Sequence, residues 1–164
     1  MTTIFQTQYD VNFEQQKVFV QRSFNAPIDL VWRAWTEKEI LDEWWAPRPW
    51  KAKTKFMNFE VGGKRVYAMV SPEGQEFWSV QKFISIAPKS NFKMLNAFSD
   101  ANENMDLPGS NWDLNFMEEN NSTKVSIEIY NESLERMNKM IEMGFQGGFA
   151  MGHNNLDEVL KTLK

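Results

Sequence analysis

The order of periodicities along the chain predicts an α+β domain with a strand, two short helices, an antiparallel run of strands, and one long C-terminal helix packed on the sheet. Three observations carry this. Apolar residues recur at helical spacing between Ile28 and Trp45. From Trp50 to Tyr130 the pattern changes to period two, cut by turn signals. From Ser133 onward the helical period returns through Met137, Met140, Ile141, Phe145, Phe149, Leu156, Val159, Leu160 and Leu163. An antiparallel sheet with one apolar face needs a cover, and the terminal helix is the only element long enough to supply it.

Taken in order, residues 1–16 are a mostly polar arm in which Ile4, Phe5, Tyr9, Val11 and Phe13 are interspersed. Three fates are open to it: an added strand in the same sheet, pairing with a neighbouring chain to give a homodimer, or disorder. Val18, Val20 and Arg22-Ser23-Phe24 alternate as a first strand. Asn25 is placed as an N-cap and Pro27 stands where a helix start tolerates proline, so a short helix runs from Ile28 to about Trp35. Thr36 and Glu39 have the spacing of a capping box, which restarts a second helix that ends near Trp45, before Pro47 and Pro49.

Breaks at Gly62-Gly63, Pro72-Glu73-Gly74, Pro88, Pro108-Gly109 and residues 119–122 cut the β region into about six strands. Val125, Ile127 and Ile129 share one face, as do Trp112, Leu114 and Phe116. The face carrying Phe92, Met94 and Phe98 also carries Asn96, and Tyr67 and Met69 bring another hydroxyl and a thioether to the interior, a mixture a pure core rarely uses. Residues 101–110 read as an exposed loop. In the terminal helix Gly144, Gly148 and Gly152 fall in one row, with Gly147 beside them. The row fits close packing against the sheet or a ring such as Trp112, or space for a ligand, or a break after Met143 at Gly144.

The chain of 164 residues has the length of one domain; its net charge of −4 and pI near 5.1 lack the basic footprint that nucleic acid or an anionic membrane surface requires. Cysteine is absent and His153 is the only histidine, which removes disulfides, thiolate chemistry and His-rich metal sites. No secretory leader or membrane span is recognisable, so a cytoplasmic location is expected. Neither a phosphate-binding glycine loop nor a nucleophile elbow nor a zinc-protease helix occurs, and no cofactor or metal is expected.

The segments Phe24-Asn25-Ala26-Pro27 and Val31-Trp32-Arg33-Ala34-Trp35-Thr36, running through TEKEILDEWWAP to Pro47, carry a resemblance. It continues through Val61-Gly62-Gly63, Pro72-Glu73-Gly74, Ile86-Ala87-Pro88 and GFQGGFAMGHNNLDEVL from Gly144 to Leu160. The chain from about residue 17 to the end resembles the branch of the START-like, or SRPBCC, superfamily related to the C-terminal domain of the activator of the ninety-kilodalton heat-shock-protein ATPase. The resemblance implies a helix-grip fold, a curved antiparallel sheet wrapped around the C-terminal helix with a cavity between them. Where many members carry an acidic residue and then an arginine before the paired glycines, Asn58 and Glu60 stand here, so no role is carried over to them.

Three functions follow as expectations. The first is non-enzymatic binding of a small apolar or aromatic molecule, with Trp45, Tyr67, Met69, Phe92, Met94, Asn96, Phe98, Trp112, Phe116, Phe145 and Phe149 as lining. The second, implied by the resemblance, is a protein-interaction module that modulates a chaperone ATPase. The third is a cyclase-like or hydratase-like enzyme using Tyr67 or His153 with Asn96 to polarise a carbonyl. His153 is otherwise a partly exposed helical residue, and Asp42-Glu43, Glu118-Glu119 and Asp157-Glu158 diverge as solvated surface. Trp44, Trp45 and Trp50 either rim a site or wedge the helix pair onto the sheet, with Arg48 beside them for an anion or a salt bridge.

Overall fold

Alternation of apolar and polar residues turns one face of each strand inward, and the described residues, 5–163 of a computed structural model, build one sheet from it. Strands Gln8–Asn12 (β1) and Lys17–Phe24 (β2) are followed by helices Ile28–Thr36 (α1) and Lys38–Trp44 (α2). Then come strands Lys51–Met57 (β3), Lys64–Val70 (β4), Glu76–Ala87 (β5), Asn91–Ser99 (β6), Ser110–Glu119 (β7) and Ser122–Asn131 (β8). Helices Leu134–Glu142 (α3) and Phe145–Leu160 (α4) close the chain. The strand order is β1-β2-β8-β7-β6-β5-β4-β3, with every neighbour antiparallel. This curved antiparallel sheet around a C-terminal helix is the α+β helix-grip fold.

Register carries the inner face across the sheet. Val18 lies opposite Ile129, Ile129 opposite Trp112, and Trp112 opposite Met94. All four are buried, so one row of the pleat crosses four strands without a polar side chain. Bulges between Thr54 and Phe56 and between Phe83 and Ser85 interrupt the ladders on the β3–β5 side, where an extra residue bends a strand. The β7–β8 hairpin turns through Asn120 and Asn121, both at positive φ (48° and 67°), the geometry of a two-residue primed turn. Edge strand β3 exposes Lys51, Lys53 and Lys55, charges that discourage pairing with another chain.

The arm takes the first of its three fates. β1 pairs with β2, setting Tyr9 opposite Val20. The Tyr9 hydroxyl donates to the Gln146 carbonyl at 2.6 Å, and Thr7 Oγ1 lies 2.7 Å from His153 Nδ1, so the arm straps α4 from outside. Ile4 lies outside the described residues.

The helix starts differ from the sequence reading because tertiary partners replace local caps. Pro27, not Asn25, is the N-cap of α1. The chain turns sharply there, with Ala26 N–H bonded to Phe24 O, and the Ile28 N–H is met by Glu118 Oε1 from β7 at 2.7 Å. Thr36 does not open a capping box. It is the last residue of α1, its hydroxyl donates back to Trp32 O at 2.7 Å, and Glu37 caps α2 without a side-chain bond.

The terminal helix is broken. Gly144 has φ of +83°, a left-handed conformation that ends α3 and starts α4, so the third reading of the glycine row holds at that position. The remaining glycines meet neither the sheet nor Trp112. A Cβ on Gly152 would stand 3.1 Å from the Trp44 carbonyl oxygen, and one on Gly148 3.6 Å from Pro47 Cγ. The row lets α4 lie against the end of α2 and the loop beyond it.

These environments predict opposite outcomes for two neighbouring glycines. Gly144→Ala is expected to destabilise the fold by about 1 kcal/mol, because L side chains disfavour the left-handed region. Gly147→Ala, where an added Cβ meets nothing within 4 Å, should be neutral or stabilising by up to about 1 kcal/mol. Urea unfolding midpoints of both variants read the sign directly.

Candidate ligand site on the inner face of the sheet

Next to the apolar row runs a polar one. Arg65 lies opposite Gln81, Gln81 opposite Asn96, Asn96 opposite Ser110, and Ser110 opposite Asn131, crossing β4, β5, β6, β7 and β8 on the inward face. Four inter-strand steps make the row roughly 19 Å long. Arg65, Gln81, Ser110 and Asn131 are buried, and Asn96 is half-buried. Only part of this polarity is satisfied. Arg65 Nε donates to Thr54 Oγ1 at 3.1 Å and Nη1 to Gln81 Oε1 at 3.4 Å, while Ser110 Oγ accepts from Trp112 Nε1 at 3.0 Å. Gln81 Nε2, Asn96 Oδ1 and both side-chain polar atoms of Asn131 are buried without a hydrogen-bond partner. Buried polar groups are ordinarily paired, so such a concentration calls for an explanation.

A second arginine reaches the same region from α3. Arg136 is 8% exposed, its guanidinium sits 4.4 Å over the Phe98 ring, and its Nε has no partner. Arg65 is fully buried, 4.1 Å over the Tyr67 ring and 5.4 Å over Trp45. Burial draws both guanidinia below their ordinary range, while Tyr67 opposes the shift in each; Asp42 further opposes it at Arg65 and Asp106 at Arg136. Tyr67 lies under the Arg65 guanidinium, and its hydroxyl accepts from Trp45 Nε1 at 3.1 Å.

The ring-bearing candidates divide into two groups. Trp45, Tyr67, Trp112, Phe145 and Phe149 meet around the N-terminal half of α4, with centroid separations from 5.1 to 6.2 Å. Phe92 and Phe116 are instead taken up under α1, where Trp32 packs on both at 5.8 and 5.0 Å. Met94 is buried opposite Trp112, between the groups. Met69, Asn96, Phe98 and Phe145 are half-buried and mark the rim of the interior. Two open depressions of about 500 Å³ each lie elsewhere, one on the outer face beside β1 with Gln8, Asp10, Asp113 and Glu128 in its lining, and one along α3.

Of the two readings left open for the tryptophans around the proline loop, Trp44 takes the wedge, fully buried with its Nε1 donating to Ala34 O at 2.9 Å, whereas Trp50 is half-buried against exposed Phe77 and Arg48 is exposed. Two other expectations are corrected. The adjacent acidic pairs are not simply solvated, since one member of each is engaged. Asp42 accepts from Thr54 N and Oγ1 and lies 3.6 Å from Arg65, Glu118 caps α1, and Asp157 pairs with buried Arg22. His153 is fully buried rather than partly exposed, because α4 turns it into the core among Phe24, Trp35, Trp44 and Phe149. Desolvation, with Arg22 adding to it, lowers its pKa to about 3, so it is neutral at physiological pH.

The sequence reading reached Asn96 and Tyr67 but not Arg65, Gln81, Asn131 or Arg136. Arg65 was within reach, since it stands two residues before Tyr67 on the strand and so shares its face. The row itself depends on the register of five strands, which no single strand reveals.

A sheet gripping a C-terminal helix, with rings and polar groups facing inward, defines an SRPBCC-type helix-grip domain. The family model described as Activator of Hsp90 ATPase homolog 1-like protein matches residues 25–161, and the chain belongs to that family. Its fold is shared with a protein from Arthrobacter aurescens solved in solution (27% identity, TM-score 0.88, covering 95% of this chain and 92% of that one). Similar folds are seen in protein Ms6760 from Mycobacterium smegmatis (22%, 0.88, 97% and 99%) and in a protein from Staphylococcus epidermidis (23%, 0.83, 96% and 96%). No curated protein matches the chain. Among the described residues, no helix is long and apolar enough to cross a membrane, and no group of three or more metal-binding side chains is found.

The buried histidine supplies a pH test. Its pKa is depressed from an unfolded value near 6.5 to about 3 in the fold, so the unfolded chain binds the proton more readily below 6.5. The stability it contributes is complete above pH 6.5 and is lost as pH falls, at up to about 1.4 kcal/mol per pH unit. Urea unfolding between pH 6.5 and 5 should show this slope, and His153→Gln should flatten it whatever its effect on absolute stability.

Proposed function

We propose that the domain binds a small apolar or aromatic molecule between the inner face of the sheet and the α3–α4 pair, and that it does so without chemistry. The observation that carries this reading is the polar row of partly unpartnered side chains beside a dense group of rings, the mixture that orients a ligand within an apolar site. In this reading Trp45, Tyr67, Trp112, Phe145 and Phe149 form the walls, Met69, Asn96 and Phe98 the entrance, and Met94, Phe92 and Phe116 the supporting floor. The wall rings touch one another, so a ligand takes its place by parting α3 and α4 from the rim, where Gly144 already divides the helices.

Family membership supports a second reading, a module that modulates a chaperone ATPase. The two readings are separable. Titration of the folded protein with N-phenyl-1-naphthylamine, a neutral dye that fluoresces in apolar surroundings, should show saturable uptake of about one equivalent, and Trp112→Ala should change that uptake while the fold remains. Native mass spectrometry of freshly purified protein should show a small apolar molecule leaving on denaturation. If the dye is ignored and nothing co-purifies, the binding reading falls. A change in chaperone ATPase rate on adding the protein would then favour the second.

A further inference from the structure

The unpartnered polar atoms at the rim end of the inner face are unequal in kind. Arg65 Nη2, Gln81 Nε2, Asn131 Nδ2 and Arg136 Nε are donors, whereas the acceptors are Asn96 Oδ1 and Asn131 Oδ1. The Gln81 amide is oriented by its Oε1, which accepts from Arg65, so its N–H group is the end left over. The carboxylates nearby offset this excess only in part. Asp42 Oδ1 forms an ion pair with Arg65 Nη2 at 3.6 Å, long for a hydrogen bond, and both Asp42 oxygens also accept from Thr54. Asp106 acts on Arg136 through its field.

The two cations are also neighbours. Arg65 covers Tyr67 and Arg136 covers Phe98, and both rings flank the same residue, Ser79, one on each adjoining strand. The guanidinia therefore stand over positions about two inter-strand spacings, roughly 10 Å, apart. A buried guanidinium with free N–H groups is costly unless an anion completes it, and its planar fork fits a carboxylate better than a neutral group.

Resting on the proposed uptake of an apolar ligand, we infer that this ligand carries an anionic oxygen group, held in the space bounded by Arg65, Tyr67 and Arg136, with its apolar body on Trp112 and Phe149. The acceptor deficit on the protein is then met by the ligand.

A pair of dyes tests the charge alone. N-Phenyl-1-naphthylamine and 1-anilinonaphthalene-8-sulfonate share both ring systems and differ by one sulfonate. Fluorescence titrations of the full chain should give roughly tenfold or tighter binding for the sulfonate, the scale expected for hydrogen bonds to a buried charge. Arg136→Gln should erase that advantage while shifting the neutral dye by less than roughly twofold, and Arg136→Lys should restore part of it. Equal affinities in the unaltered protein overturn the inference and leave ligand uptake standing, whereas rejection of both dyes overturns the uptake reading itself. A sulfonate advantage that survives both Arg136→Gln and Arg65→Gln belongs to a surface cation and also overturns it. Should either variant fail to fold, displacement of the neutral dye from the unaltered protein decides. There 2-naphthoate must act at roughly tenfold lower concentration than 2-naphthalenemethanol, and equal potency overturns the inference.

Discussion

The approach of α4 to the end of α2 at Gly152 is the contact on which the arrangement of the interior rests. A Cβ at Gly152 would stand 3.1 Å from the Trp44 carbonyl oxygen and push the helix or that backbone back by a few tenths of an ångström, so the glycine sets how deeply α4 sinks. That depth fixes Trp44, fully buried with its indole N–H on Ala34. Trp45, the next residue, then points across the interior to bond the Tyr67 hydroxyl. The arm adds to the hold on α4 through Thr7 and Tyr9. A loss of about 1 kcal/mol of helix propensity at Gly152 is thus offset by packing that several rings share.

The inner face is graded along the strands. At the end near β2 and the C-terminal half of α4, Arg22 is buried and held by Asp157 and the Ser23 carbonyl, with its guanidinium over Phe24 and only its Nε unpartnered. At the other end Arg65 and Arg136 keep unpartnered N–H groups and a half-buried rim. The same residue type therefore does two jobs. A buried arginine held by a close carboxylate locks a helix to a sheet, whereas one whose carboxylate is distant is a cost that stability alone does not justify.

Fold was legible in the sequence where it rests on period. Val125, Ile127 and Ile129, the helical spacing of Val31, Trp32 and Trp35, and the apolar stripe of the terminal helix all lie where the pattern put them. Local caps were less legible, because Glu118, distant in sequence, does at Ile28 what Asn25 was expected to do. His153 was misplaced for a similar reason. A lone polar residue among Asn154 and Asn155 looks exposed until the rotation of α4 against Phe24 and Trp35 is known. Within the candidate site the rings were visible as residue types, but their division between Trp32 and α4, and the alignment of polar side chains over five strands, are products of register and packing.

Where the graded face ends, the covering helix ends as well. Gly144 breaks the terminal helix beside the polar row, so that end is covered by two helices meeting at a joint, while the apolar end lies under the continuous body of α4. A continuous helix from Ser133 to Leu160 would have presented mid-helix backbone there, with its peptide groups already paired. The glycine that costs the helix its continuity therefore places the cover's joint beside Trp112, whose indole N–H meets Ser110 of the polar row.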